Sequence, residues 1–148
     1  EYNIDTYTYV SMLWVESNFH KEIISYTGKA CGISQVVPKW TRPRKTCKDL
    51  NEDVKVAMIQ GARIFRGFKR YGGKSLDISL CGYNQGYRCK GEKTVQEGGY
   101  DYKKEGLAYA KKVKSFRRKL KSSVSRQKKK LRTYRKKLVR ALSSLYSL

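Results

Sequence analysis

Glu16 closes the apolar run Leu13-Trp14-Val15, and after Glu22 the chain holds no Asp or Glu until Asp49. A carboxyl with apolar neighbours such as Trp14 and a cleft wall is expected to keep its proton toward neutral pH, as a general acid must. Side chains able to hydrogen-bond a polar substrate recur along the chain. Ser17 follows Glu16 directly, Gln35 ends Gly32-Ile33-Ser34-Gln35, Tyr83 and Asn84 lie in Gly82-Tyr83-Asn84-Gln85-Gly86, and Tyr109 comes four residues after Glu105. Each has a plainer reading when taken singly: a solvated helix end for Glu16, fold-holding loop residues for Gln35, Tyr83 and Asn84, and core packing for Tyr109. Metal chemistry is poorly provided for. His20, read as surface, is the only histidine, and Cys31, Cys47, Cys81 and Cys89 lack Cys-x-x-Cys spacing, so no metal or cofactor is expected. The cysteines are then two disulfides, in one of three pairings, or four buried thiols, and an envelope-facing protein favours disulfides.

The elements that must position these residues are mainly helical. Val10, Leu13, Trp14 and Ser17 share one helical face, which puts Glu16 near the end of an amphipathic helix, with Phe19 expected in the core. Residues 25–38 read as a loop punctuated by Gly28 and Gly32 and closed by Pro38. Asn51 is placed to cap a helix with Glu52 and Asp53 in its first turn and Val54, Met58, Gly61, Phe65 and Phe68 on its inner face, stopping at Gly72-Gly73. A further helix from about Leu76 to Tyr83 ends in Asn84-Gln85-Gly86, and the Gly-rich stretch from Tyr87 to Tyr102 reads as irregular. Strand-like alternation is scarce.

With 148 residues the chain makes one domain and an appendage. All 12 acidic residues lie at or before Glu105, whereas 16 of the 34 Lys and Arg lie in residues 111–148. The first 110 residues therefore carry +6 and the remainder +16, which places a domain boundary at 110/111. A net charge of +22 calls for a polyanionic partner, whether nucleic acid, anionic lipid or a bacterial wall. No apolar run reaches membrane-spanning length, and no leader pattern follows Glu1, so a native start is expected upstream.

Four motifs together carry a resemblance. Glu16-Ser17, Gly32-Ile33-Ser34-Gln35, Gly82-Tyr83-Asn84-Gln85-Gly86, and Glu105 followed by Tyr109 resemble, in order and spacing, the motifs of the soluble lytic transglycosylase (SLT) catalytic domain. That family reads Glu-Ser, Gly-Leu-Met-Gln, Ala-Tyr-Asn-Ala-Gly and a late Tyr after an acid. Gly61 and Tyr71-Gly72-Gly73 also fit, so the resemblance spans about residues 8 to 115. This chain departs by having Ser34 for Met, Gly82 for Ala, and Gly106 where a Thr often follows the acid. Its Lys-rich character is most similar to that of tailed-phage enzymes, a similarity of composition and not of motif.

The resemblance implies a mainly α, lysozyme-like catalytic domain over residues 1–110; charge and apolar spacing add a basic amphipathic helical tail over 111–148. It implies peptidoglycan as substrate and action at the bacterial wall, in the periplasm or delivered by a virion. Glycosidic cleavage usually takes two carboxylates, and the acid-free stretch from 23 to 48 offers no obvious second one. Asp49, Asp53 and Asp77 are expected at helix starts instead. Substrate assistance by the N-acetyl group of N-acetylmuramic acid would replace it, with Glu16 as acid and then base and a 1,6-anhydro product. Ser17, Gln35 and Asn84 would orient sugar groups, Tyr83, Tyr26 or Tyr87 would stack on the rings, and Tyr109 would tune Glu16. Lys29, Lys39, Arg42 and Arg44 occupy the acid-free stretch and suit stem-peptide carboxylates. The competing readings are a hydrolytic muramidase and a non-catalytic virion or binding protein.

In the tail, Val113, Phe116, Leu120, Val124, Leu131, Tyr134, Leu138, Leu142 and Leu145 recur near a 3.6-residue period among Lys and Arg. Such a helix folds its stripe back on the domain or a virion partner, or adsorbs to an anionic envelope surface. Nucleic acid is the less favoured partner.

Overall fold

Asp5 starts the first helix by accepting hydrogen bonds from the Thr8 amide and hydroxyl, at 2.9 and 2.7 Å. α1 runs Thr6–Ser17 and ends where Asn18 turns left-handed at φ 50°, its amide donating to the Trp14 carbonyl. The computed structural model, which describes residues 2–89, 96–97 and 99–145, continues with α2 (Cys47–Glu52), α3 (Val54–Gly72), α4 (Leu76–Gln85) and α5 (Tyr102–Leu145). Single 3₁₀ turns occupy Pro38–Trp40 and Gly86–Cys89, and a two-residue hairpin pairs β1 (Gln96–Glu97) with β2 (Tyr100–Asp101). The mainly α class is as expected. Among the described residues no helix is long and apolar enough to cross a membrane.

Two caps differ from expectation. Thr46 caps the short α2 through a reciprocal box with Asp49, and Asp53, accepting from the Val56 amide, caps α3. Asn51 is therefore inside α2, with its Oδ1 buried and unpartnered. The local signal for a cap was real but belonged to the residues on either side. Phe19 also departs: it follows the left-handed Asn18, itself takes φ 65°, and is turned outward to 45 % exposure.

α1 is wedged between two apolar clusters, and its neighbouring residues serve different ones. Met12 packs with Phe65, Leu80, Tyr109, Ala110 and Val113, whereas Leu13 packs with Cys31, Ile33, Val36, Leu50 and Ala57. α3 likewise supplies Phe65 to the first and Ala57 to the second. The disulfides are Cys31–Cys47, tying the loop after α1 to α2, and Cys81–Cys89, tying α4 to the following 3₁₀ turn.

The expected boundary at 110/111 falls inside α5, a 44-residue helix about 66 Å long at 1.5 Å per residue. Its first half is part of the domain. Val113 is fully buried, Phe116 stacks on Trp14 with centroids 4.2 Å apart, Lys114 pairs with Asp77, and Arg117 pairs with Asp5 at 2.8 Å. From Ser125 to Val139 every residue is exposed.

Candidate active site

The glycines flanking Glu16's loop set the architecture of the site. Gly32 takes φ 74°, and a Cβ there would sit 2.4 Å from the Leu50 carbonyl oxygen, so the loop passes α2 at a distance only glycine allows. Cys31 bridges Ile24 on one side and Val36 on the other, folding residues 23–36 back on themselves. Three side chains then fasten the turn. Ser17 Oγ reaches the Ile33 carbonyl at 2.8 Å, Tyr83 Oη donates to the Ser34 carbonyl at 2.7 Å, and Gln35 Nε2 donates to the Ile23 and Gly32 carbonyls at 3.0 Å. Gln35 itself is held at φ 45°, a strained conformation that these bonds over-determine.

Facing this loop across a cleft of about 880 Å³ are α3, the end of α4 and the turn after it. Glu16, one turn past Met12, lines the cleft floor, and among the described residues it is the only carboxylate that does. Asp49, Asp53 and Asp77 sit at the starts of α2, α3 and α4, as expected, and none lines the cleft.

Burial pushes the Glu16 carboxyl up to about 7, offset in part by the Tyr109 hydroxyl. The burial comes from a different side than expected. Trp14, two residues earlier, lies about 200° round the helix and is occupied by Phe116. Tyr83 and Tyr109 are the groups near the carboxyl, and burial together with its charge raises both phenols well above their ordinary range. Among the described residues the buried Tyr109 hydroxyl has no hydrogen-bond partner of good geometry, and the Glu16 carboxyl is the charged group it faces.

The residues expected at the substrate are placed unequally. Glu16, Gln35, Tyr83 and Asn84 line the cleft together, and Tyr109 stands behind Glu16. Gln35 has its amide nitrogen committed to the loop, and the Tyr83 hydroxyl is likewise taken, while Asn84 Oδ1 accepts from Gln85 at 2.7 Å. Ser17 is buried, both its bonds go to backbone carbonyls, and it holds the loop on α1 without lining the cleft. Tyr87 lines the cleft, packed against Phe68 and Tyr71, and Tyr26 is fully exposed outside it. Lys29 and Lys39 line the cleft; Arg42 and Arg44 do not.

Sequence reasoning passed over Trp40, Arg63 and Arg88, all on the cleft wall. Arg63 donates to the Trp40 carbonyl and to Gln60 Oε1, and Gln60 in turn bonds both the amide and the carbonyl of Arg42. A buried glutamine thus fixes the 3₁₀ turn that presents Trp40. Its only sequence signal was a polar residue on the inner face of α3.

The departures from the family motifs have local explanations. Ser34 is fully buried, 3.3 Å from the Tyr9 hydroxyl and over Gly61, so position 34 adds nothing to the cleft wall. A Cβ on Gly82 would meet Phe68 at 2.6 Å, and one on Gly106 would meet Cys81 Sγ at 2.3 Å. The disulfide occupies the space that a side chain at 106 would need.

The transglycosylase SLT domain model matches residues 1–105, and the chain belongs to that family. Its members are glycosidic-bond-cleaving domains directed at cell-wall peptidoglycan, with the lysozyme-like fold seen here. Comparison with curated proteins and with solved structures gave no match.

Proposed function

We propose that this chain is a peptidoglycan lytic transglycosylase that breaks the β-1,4 bond between N-acetylmuramic acid and N-acetylglucosamine and leaves 1,6-anhydro-muramyl ends. The observation that carries this reading is the isolation of Glu16: among the described residues it is the one carboxyl on the cleft floor, raised to about 7, and the other charged groups on the lining are cations.

In the proposed reaction protonated Glu16 gives its proton to the departing glycosidic oxygen as the C1–O bond breaks. The N-acetyl carbonyl oxygen of the muramyl residue closes on C1 and holds the positive charge that a second carboxylate otherwise stabilises. Glu16, now anionic, takes the proton of the C6 hydroxyl. The C6 oxygen then displaces the acetamido oxygen from C1, which closes the anhydro ring and returns Glu16 to its acid form. No water is consumed. Asn84 and the Gln35 carbonyl oxygen orient sugar hydroxyl and amide groups, and Trp40 and Tyr87 offer faces for the pyranose rings.

A hydrolytic muramidase of the inverting kind needs a carboxylate about 6.5–9.5 Å from the acid to activate water. Among the described residues no second carboxylate lines the cleft, whereas Lys29 and Lys39 do, and cations oppose the activation of water as a base would need it. A binding-only protein gives no reason to keep a carboxyl at a desolvation cost. Digestion of purified sacculi followed by mass spectrometry tests the reading: muropeptides lighter by one water than reducing-end products are expected to dominate. Dominant reducing ends would make the protein a muramidase, and absence of soluble products a binding protein.

A further inference from the structure

The apolar seam that seats α5 on the domain does not stop where the domain does. Val113, Phe116 and Leu120 lie on the face turned to the core, and Leu131, Tyr134 and Leu138 fall within about 60° of the same line at 100° per residue. The inner three are buried or half-buried. The outer three are 66 %, 67 % and 61 % exposed, outside both apolar clusters formed by the described residues.

Eight Lys and Arg lie between 126 and 139, and no acid does. They flank the stripe and fill the opposite face of the helix. This charge rules on what covers the stripe. A second copy would bring eight more cations alongside at close range, and like charges without intervening acids repel. A nucleic-acid duplex would satisfy the cations but leave Leu131, Tyr134 and Leu138 in water, since phosphate contacts use no aliphatic stripe. An anionic bilayer satisfies both faces at once: the stripe enters the headgroup boundary while the cations meet lipid phosphates.

We propose that residues 125–139 of α5 form a membrane-surface anchor that takes anionic phospholipid, lying in the interface with Leu131, Tyr134 and Leu138 inserted. The proposal is independent of the bond that the cleft cleaves. It is tested with the full chain by co-sedimentation with equimolar phosphatidylglycerol–phosphatidylcholine vesicles, against vesicles of phosphatidylcholine alone. Binding to the anionic vesicles is expected, weakened by salt, and reduced roughly tenfold or more when Leu131, Tyr134 and Leu138 are all changed to Ser. These side chains belong to neither apolar cluster of the described residues, so helix content by circular dichroism and release of muropeptides from isolated sacculi are expected to persist in the variant. Equal vesicle binding by the variant would overturn the proposal in favour of a purely electrostatic surface. Tighter binding of a DNA duplex than of anionic vesicles, or a dimer in sedimentation equilibrium that the triple variant dissolves, would overturn it in favour of nucleic acid or of a second copy.

Discussion

Tyr109 sets its buried hydroxyl against the Glu16 carboxyl and, among the described residues, has no other group to bond. The two residues come from α1 and α5, helices nearly a hundred positions apart in sequence, and the pair makes the proton affinity of the site a property of how those helices dock. Because the hydroxyl lowers the Glu16 pKa, Tyr109→Phe is expected to raise it. The alkaline limb of the muropeptide-release rate then moves to higher pH, with the rate at neutral pH changed by less than about tenfold and stability changed within about 1 kcal/mol. A limb that stays in place while activity falls would mark Tyr109 as packing alone.

Glu16→Gln keeps the size of the side chain and removes the transferable proton. Release of soluble muropeptides from sacculi is expected to fall by about 100-fold or more. Full activity in a folded variant would remove Glu16 from the reaction.

The same substitution has an opposite effect on stability. Below about pH 4.5 Glu16 is protonated whether the chain is folded or not; between 4.5 and 7 only the unfolded chain releases the proton; above 7 the folded chain carries a buried charge. Stability from this group is therefore complete below the unfolded value and is lost as pH rises through the folded one, by on the order of 3 kcal/mol. Glu16→Gln is expected to melt higher than the native chain at pH 8 and by no such margin at pH 4. In the proposed mechanism the acid form is the one that reacts, so activity of the native chain is expected to fall over the same alkaline range.

Two glycines in helices should respond to alanine with opposite signs. At Gly106 the new methyl meets Cys81 Sγ at 2.3 Å and Cys89 Sγ at 3.1 Å, so overpacking of about 1–3 kcal/mol outweighs the gain in helix propensity. At Gly67, inside α3, nothing lies within 4 Å, and Ala is expected to stabilise by about 0.5–1 kcal/mol. Thermal melts of the two variants decide it.

The helices around the site were legible because their apolar periods and end signals agree. α4 ends at Gln85 with Gly86 as its cap, close to the turn that Asn84-Gln85-Gly86 suggested. Spacing also found the cleft residues Glu16, Gln35, Tyr83 and Asn84, although not which of their atoms are free. Ser17 illustrates the limit: a hydroxyl beside the acid looks like a substrate contact, and only packing reveals that two backbone carbonyls claim it. Trp40, Arg63 and Gln60 escaped because their link is long-range and each is ordinary in its own segment. The expected boundary at 110/111 rests on charge alone and falls inside a continuous helix. Charge composition changes there, but helix continuity is decided by the hydrogen-bond ladder and the apolar seam, and both run on.

Twenty-five steps of uninterrupted helix lead from Tyr109 to Tyr134, about 38 Å at 1.5 Å per residue. A flexible linker of that length would let the cleft wander through a volume; a helix keyed into the domain by Trp14–Phe116 and Asp5–Arg117 acts as a strut. Whatever grips its outer end also sets the height and tilt at which the cleft meets a glycan strand. Reach is thereby a matter of ruler length, and adding or removing a single turn of α5 would shift the working plane of Glu16 by about 5.4 Å and turn it little about the helix axis.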